Sequence, residues 1–468
     1  MKKSLVLSTL VAMLLGCATT PAVPTDEVEA PPQEEVVEAP PVSVEGHPGW
    51  AGEEPVDDQA RWVLALLNDR GGELTEEEYD LYFNEEIHNA LPYEAIAQSM
   101  QVIAQMGPFS VLGEAQRQEN IVGLLVSGAR EERFILIVVV EGEEPNRIRG
   151  VNIAPAPDES AELLETWEEI EAALVTKGAQ ASFLAARIDD GSCEPLYSLA
   201  PEKSLGIGSA FKLYVLGAAA KEAREGRLRY EEELEIVDAH RSLPSGQLQD
   251  RPAGEMVSLF DVAGKMISIS DNTATDLLLA RLGRSTVEGY LSALGHSAPE
   301  KMTPFLYTHE FFKLKLSHDE ETRDRYGEMN TEERREFLRS LQEVSLPEIS
   351  AALSWRTPRH IETIEWFASA EDLCALFSTF KENRDEAGSS EVFQIMAANP
   401  GALQLEGRAS YIGFKAGSEP GVLNFSWIIE DQEGQWYSLI FTVNDSENPI
   451  SQMEVHHLAR SAAHLLIQ

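Results

Sequence analysis

Ser209 and Lys212, in the run Gly206-Ile207-Gly208-Ser209-Ala210-Phe211-Lys212-Leu213, are the residues whose types and spacing first suggest chemistry. The apolar residues that follow (Leu213, Val215, Leu216, Ala218, Ala219) read as a buried helix with Ser209 at its N-terminus. Side chains three residues apart on a helix face the same way and can meet. A serine hydroxyl is a poor nucleophile until a base removes its proton. A lysine can be that base when burial and a neighbouring cation lower its pKa, and the helix N-terminus adds backbone N–H groups that favour developing negative charge. Alone, Ser-x-x-Lys is weak, because a chain of this length contains it about once or twice by chance. Ser270-Asp271-Asn272 is rarer, expected in fewer than about one such chain in ten. Lys415-Ala416-Gly417-Ser418 then closes an apolar, strand-like stretch that begins at Tyr411.

The elements that must position these residues fall in two regions. Residues 51–158 read as helices first (Ala60 to Leu67, Tyr93 to Met106), then strands (Ile121 to Val126, Phe134 to Val140, Arg147 to Ile153), a small α+β domain. This layout resembles the ketosteroid-isomerase-like, or nuclear transport factor 2, fold. It lacks a convincing paired acid and oxyanion-hole tyrosine, so a packing or binding role is expected of it. Residues 159–468 begin with a helix (Ala161 to Leu174) and a strand (Ala181 to Ile188), pass through a long helical middle, and end with strands Val422 to Ile429 and Tyr437 to Val443 and a helix near Met453 to Leu466. A sheet built from both ends of this region and packed against a helical subdomain is expected, with the site at their seam. Residues 316–346 form a highly charged, solvated excursion in which Asn330 and Glu333 make a capping-box start for a helix through Leu341.

Composition narrows the function classes. The 468 residues are 43% hydrophobic and 25% charged, with a formal net charge of −42. That is a globular chain whose surface would repel a phosphate backbone, so nucleic acid is not an expected partner. Met1-Lys2-Lys3 followed by Leu5 to Leu15 reads as an export leader too short to span a bilayer. Leu14-Leu15-Gly16-Cys17 resembles a bacterial lipobox, which makes residues 1–16 a signal peptide and Cys17 the lipidated residue. Several acyl chains on one residue give stable anchoring, so the membrane is an expected partner and the bacterial cell envelope the expected address. Residues 17–50, rich in Pro and Glu, read as an extended tether. Cys193 and Cys374, placed among apolar neighbours or at a turn, are expected to be unpaired thiols. His456-His457 is expected on a helix surface. The chain contains no CxxC, HxH or HExxH pattern, which argues against a metallo-hydrolase, and no Gly-x-Ser-x-Gly elbow, which argues against an α/β-hydrolase. Neither a metal nor a cofactor is called for.

The ordered trio Ser209-x-x-Lys212, Ser270-Asp271-Asn272 and Lys415-Ala416-Gly417 resembles that of the penicillin-recognising serine enzymes, among them the class A β-lactamases. The resemblance spans about residues 160–468 and implies a β-lactamase/transpeptidase-like fold and an acyl-enzyme on Ser209. Under it Lys212 accepts the proton, Ser270 relays one to the leaving group, and Asn272 binds the substrate amide and holds Lys212. Lys415 supplies positive charge, the backbone N–H groups of Ser209 and Ser418 form an oxyanion hole beside Gly417, and Asp271 braces the loop. His240-Arg241-Ser242-Leu243-Pro244-Ser245-Gly246, Pro304-Phe305-Leu306 and Glu365-Trp366-Phe367 resemble a branch with a ketosteroid-isomerase-like N-terminal domain, which includes a cephalosporin esterase.

Two departures stand out. Ala416 replaces the usual hydroxyl of the third motif, and no Glu-x-x-Leu-Asn follows Ser270-Asp271-Asn272 to activate a deacylating water. Glu310 lies in about the right part of the chain for that base, although a helix-surface acid is the plainer reading. Three functions follow: hydrolysis of a β-lactam or a related ester or amide, D,D-carboxypeptidase action on peptidoglycan stem peptides, and ligand binding by a catalytically weak envelope lipoprotein.

Overall fold

The computed structural model describes residues 50 to 467, apart from 51, 119, 130–131, 143, 157–161, 244, 348–350, 353–354, 404 and 406. The expected leader, Cys17 and most of the tether lie outside the described residues. The chain divides into two compact units, Met1–Glu159 and Ser160–Gln468.

In the first unit four helices, α1 (Pro55–Asp69), α2 (Glu76–Tyr82), α3 (Glu85–Ala90) and α4 (Tyr93–Ala104), precede an antiparallel meander. Its strands are β1 (Ser110–Gln118), β2 (Ile121–Ser127), β3 (Arg133–Val140) and β4 (Ile148–Pro155). Ala60, Val63, Leu64 and Leu67 bury the stripe of α1 that helical periodicity marks, and Phe134, Leu136, Val138 and Val140 bury alternate positions of β3. Trp50 already belongs to this core. The edge strand β1 carries Glu114, Gln116 and Arg117 and so lacks the apolar run that marks its neighbours.

The second unit opens with α5, which is shorter than expected. It spans Trp167–Leu174 and starts at the capping box of Thr166 and Glu169, a local start signal that outweighs the helical pattern upstream. Then come β5 (Gln180–Asp189), β6 (Ser192–Leu199), β7 (Leu205–Gly206) and α6 (Lys212–Arg224). The middle holds the pair β8 (Glu233–Glu235) and β9 (Met256–Ser258), then α7 (Leu259–Ser268), α8 (Asn272–Leu282), α9 (Arg284–Leu294) and α10 (Thr308–Phe312). Next are α11 (Glu320–Glu328), α12 (Thr331–Ser340), β10 (Phe367–Ala368), α13 (Ala370–Glu382) and α14 (Ser390–Ala397). The chain finishes with β11 (Ala409–Glu419), β12 (Val422–Asp431), β13 (Trp436–Asn444) and α15 (Gln452–Leu466). In the charged stretch, Asn330 and Glu333 form the expected capping box of α12.

The main sheet runs β11-β12-β13-β5-β6, all antiparallel, so both ends of the unit build it. Side chains on a strand alternate between faces, and β5 is covered on both. Phe183 and Ala185 pack with α5 and α15 through Ile170, Leu174, Leu458 and Ala462, while Leu184, Ala186 and Ile188 join the core of α6 and α13.

Cys193 and Cys374 are joined in a disulfide, contrary to the expectation of free thiols. Cys193 on β6 pairs in register with Ile188 of β5, and α13 packs over β5 and β6 with Cys374 on its buried face, leaving the two Cα atoms 6.3 Å apart. Apolar surroundings describe the environment of each sulfur and say nothing of their separation. His456 is likewise half-buried, and its Nε2 lies 2.9 Å from the Gly401 carbonyl, because α15 lays that turn against the sheet.

Candidate active site

Three segments converge around Ser209. A one-turn 3-10 helix, Gly208–Phe211, leads into α6 and places Ser209 one turn before Lys212, at the entry of a helix buried from Lys212 to Ala220. Lys212 is fully buried. Its Nζ donates to Ser270 O at 2.6 Å, Ser270 Oγ at 3.0 Å and Asn272 Oδ1 at 2.7 Å. Burial lowers its pKa to about 7, against a smaller opposing pull from Asp271 and Asp276.

Ser270 occupies the left-handed backbone region (φ 59°) between α7 and α8, a conformation the surrounding contacts must enforce. Asp271 supplies them. Its Oδ1 caps α8 by accepting from Ala274 N at 2.8 Å, and its Oδ2 accepts from Gln247 N at 2.6 Å and Leu248 N at 2.9 Å. Gly246, at φ 137°, passes so close that a Cβ would sit 2.4 Å from the Asp271 carboxyl carbon. Asn272 is held from the other side, its amide nitrogen donating to Leu243 O at 3.0 Å.

The third segment is β11. Lys415 is buried, donates to Ser270 Oγ at 3.0 Å and to Ala416 O at 2.8 Å, and has its pKa held well below the ordinary lysine value by burial and then by Lys212. Gly417 is required here. A Cβ would lie 1.9 Å from Ile207 O and 2.6 Å from the backbone nitrogens of Ser209 and Ala210. A Cβ on Gly208 would in turn meet Ser418 N at 2.8 Å, so the amides of Ser209 and Ser418 lie side by side. Ser418 is exposed beside the half-buried Ser209. The arrangement contains a hydroxyl nucleophile, two buried lysines sharing one serine hydroxyl, and two adjacent backbone N–H groups.

Glu310 is not brought to this cluster. It is buried, so the surface-acid reading fails as well. Its Oε1 accepts from Arg284 at 2.7 Å, and its Oε2 accepts from Tyr307 N at 2.9 Å at the start of α10. A carboxylate committed to an arginine and to its own helix cap is a structural acid. Sequence reasoning assigned no role to Lys315 and Glu419, and it quoted Glu365 only within a family likeness. All three are buried charges bordering the Ser209 turn and the end of β11. Their signal was an ionisable residue inside an apolar run, as in Leu314-Lys315-Leu316 and Ile364-Glu365-Trp366-Phe367.

A family model described as the beta-lactamase enzyme family matches residues 165–468. A second, described as the N-terminal part of the ORF 12 gene product, matches residues 51–145. Solved structures similar to the chain include a β-lactamase from Sphaerobacter thermophilus DSM 20745 (17% identity, 64% of this chain and 98% of that one, TM-score 0.46). Others are a mutant of PBP-A in an acyl-enzyme complex with penicillin G (17%, 64% and 94%, 0.44) and the TLA-1 extended-spectrum β-lactamase (16%, 64% and 98%, 0.44). No curated protein sequence matches the chain.

Proposed function

The chain belongs to the beta-lactamase enzyme family, and from that membership we propose that it is a serine hydrolase working through an acyl-enzyme on Ser209, with a β-lactam or a related ester or amide as substrate. The observation that carries the reading is the shared hydroxyl: Lys212 and Lys415 each lie 3.0 Å from Ser270 Oγ. Ser209 Oγ attacks the carbonyl carbon as its proton passes to Lys212 Nζ, and the developing oxyanion takes the N–H groups of Ser209 and Ser418. Of the three partners of Lys212, Ser270 O and Asn272 Oδ1 can only accept. The hydroxyl of Ser270 can reverse, which lets a neutral Lys212 keep its contacts. The proton then moves from Lys212 through Ser270 Oγ to the leaving nitrogen or oxygen as the carbon–heteroatom bond breaks. Lys415 offers its charge to a substrate carboxylate.

The engagement of Glu310 by Arg284 favours slow release of the acyl group, and with it the second reading, a D,D-carboxypeptidase-like enzyme acting on peptidoglycan stem peptides. Anchoring in the bacterial envelope through lipid on Cys17 belongs to the same proposal. The Cys193–Cys374 disulfide supports an oxidising compartment. The ketosteroid-isomerase-like assignment of the N-terminal unit is part of it too, supported by the order of helices before the sheet.

Mass spectrometry of the purified protein after incubation with a penicillin and a cephalosporin tests the reading. A covalent adduct on Ser209 is expected, absent from Ser209→Ala, and a labelled Ser209→Ala protein would remove the assignment. Decay of the adduct within seconds marks β-lactamase turnover, and persistence for hours marks the peptidase-like reading.

A further inference from the structure

Bordering the nucleophile turn lies a group of three buried ionisable side chains that the reaction above does not use. Glu365 Oε2 accepts from Trp366 N at 2.6 Å and from Gly208 N at 3.1 Å, the amide immediately before Ser209. Glu419 directly follows Ser418 on β11, and its Oε1 accepts from Lys315 Nζ at 2.6 Å. Lys315 lies on a π-helical turn, Lys313–Ser317, and is fully buried, with Nζ 4.9 Å from the Phe311 ring centroid and 5.6 Å from that of Trp355. The remaining oxygens, Glu365 Oε1 and Glu419 Oε2, are buried and receive no hydrogen bond from any described group, and the two carboxyls are neighbours near enough for each to weigh on the other's proton.

Two bare carboxylates buried beside a single lysine are strongly disfavoured, since the group would carry a net negative charge away from bulk solvent. One proton between them makes lysinium, carboxylate and carboxylic acid a neutral set in which every facing oxygen is satisfied. Burial first, and the Glu419 carboxyl next, push Glu365 well above the ordinary carboxyl range; burial raises Glu419 to about 7 against the opposing pull of Lys315. The other charged groups packed around the set are Arg323 of α11 and Arg359, which reach the Lys315 carbonyl at 3.3 and 3.1 Å, His360 beside Arg323, and Lys415 four residues before Glu419 on β11.

We propose that Glu365 and Glu419, sharing one proton and neutralised by Lys315, are the positioning residues of the oxyanion hole. Glu365 fixes the Gly208 peptide and with it the direction of the Ser209 N–H. Glu419 fixes the end of β11 and with it the Ser418 N–H. The bridge between the two carboxyls sets the gap that the oxyanion enters. Loss of the shared proton at alkaline pH leaves two carboxylates repelling each other across that gap, with extra negative charge beside the place where the oxyanion forms. The inference rests on Ser209 being the acylated residue.

Glu365→Gln is the informative variant, because its amide oxygen still accepts from Gly208 and Trp366 while its NH2 donates to Glu419 at every pH. Infrared difference spectra of the full-length protein near neutral pH are expected to show a protonated buried carboxyl band that Glu365→Gln lacks. Acylation by a fluorescent penicillin, followed by pH, is expected to fall on the alkaline side for the natural protein and to stay flat for Glu365→Gln. Glu365→Ala, which removes the acceptor, is expected to acylate about 10–100-fold more slowly, with little change in half-saturating penicillin. If Glu365→Ala fails to fold, the Glu365→Gln pH profile decides. A missing carboxyl band in the natural protein, or an alkaline fall that survives in Glu365→Gln, overturns the shared proton while Ser209 stands. A natural protein that shows the band but is never acylated overturns the serine reading, and the positioning role with it.

Discussion

Lys212 loses its charge readily because burial disfavours its ammonium form more than Asp271 and Asp276 favour it. A general base must be unprotonated to act, and the unprotonated fraction of a group with a pKa of about 7 grows as pH rises through that value. The acylation rate constant of the natural protein is therefore expected to climb about tenfold per pH unit between about pH 5 and 6 and to bend over through about 7, ahead of its alkaline fall, measured by stopped-flow with a fluorescent penicillin. Lys212→Arg, whose guanidinium does not give up its proton, is expected to abolish that climb and leave at most a trace of acylation. At this scale the sequence was legible where chemistry requires fixed spacing. Ser209 and Lys212, and Ser270 and Asn272, are near neighbours in the chain, so their types and intervals already carried the site. Lys315, Glu365 and Glu419 were not legible together, because they meet only after chain segments up to 104 residues apart fold onto one another.

Elements hold the site by close approach as much as by hydrogen bonding. β11 touches the Ser209 turn through Gly417, where any side chain would collide with Ile207 O. Gly417→Ala is expected to push β11 away, costing about 1–3 kcal/mol in urea unfolding. It is also expected to cut acylation by about 100-fold or more, since the two N–H groups would no longer converge. An acylation rate within a few-fold of the natural protein would show that the strand can shift without harm. The central strands β5, β12 and β13 were readable as apolar runs because both of their faces are covered. The edge strands β1 and β6 were not, since polar residues break their runs and only pairing with a neighbour defines them. α5 was read too long because its start is set by a cap, a signal one turn in length.

For the molecule as a whole, the Cys193–Cys374 bond ties the edge strand β6 to α13 across 181 residues of sequence. A loop of that size sets an entropic ceiling of about 5 kcal/mol, and natural disulfides usually contribute about 2–4 kcal/mol. The Cys193→Ala, Cys374→Ala double variant is expected to lose stability in that range in urea titrations and still to be acylated on Ser209, because neither sulfur touches the site. Equal unfolding midpoints with and without the bond would show that the natural unfolded chain is already compact there.

The same bond has a consequence for proteolysis. Ser209, Lys212 and Ser270 lie inside the loop it closes, as do α11 and α12, whose surfaces expose Arg325 and Arg339. A trypsin cut at Arg339 separates the chain into two polypeptides without separating the molecule. One carries the nucleophile and the other carries Lys415, and a covalent staple holds them together. On a denaturing gel without reductant the nicked protein should migrate as one band, and with reductant as two. The penicillin label should ride on the N-terminal fragment alone.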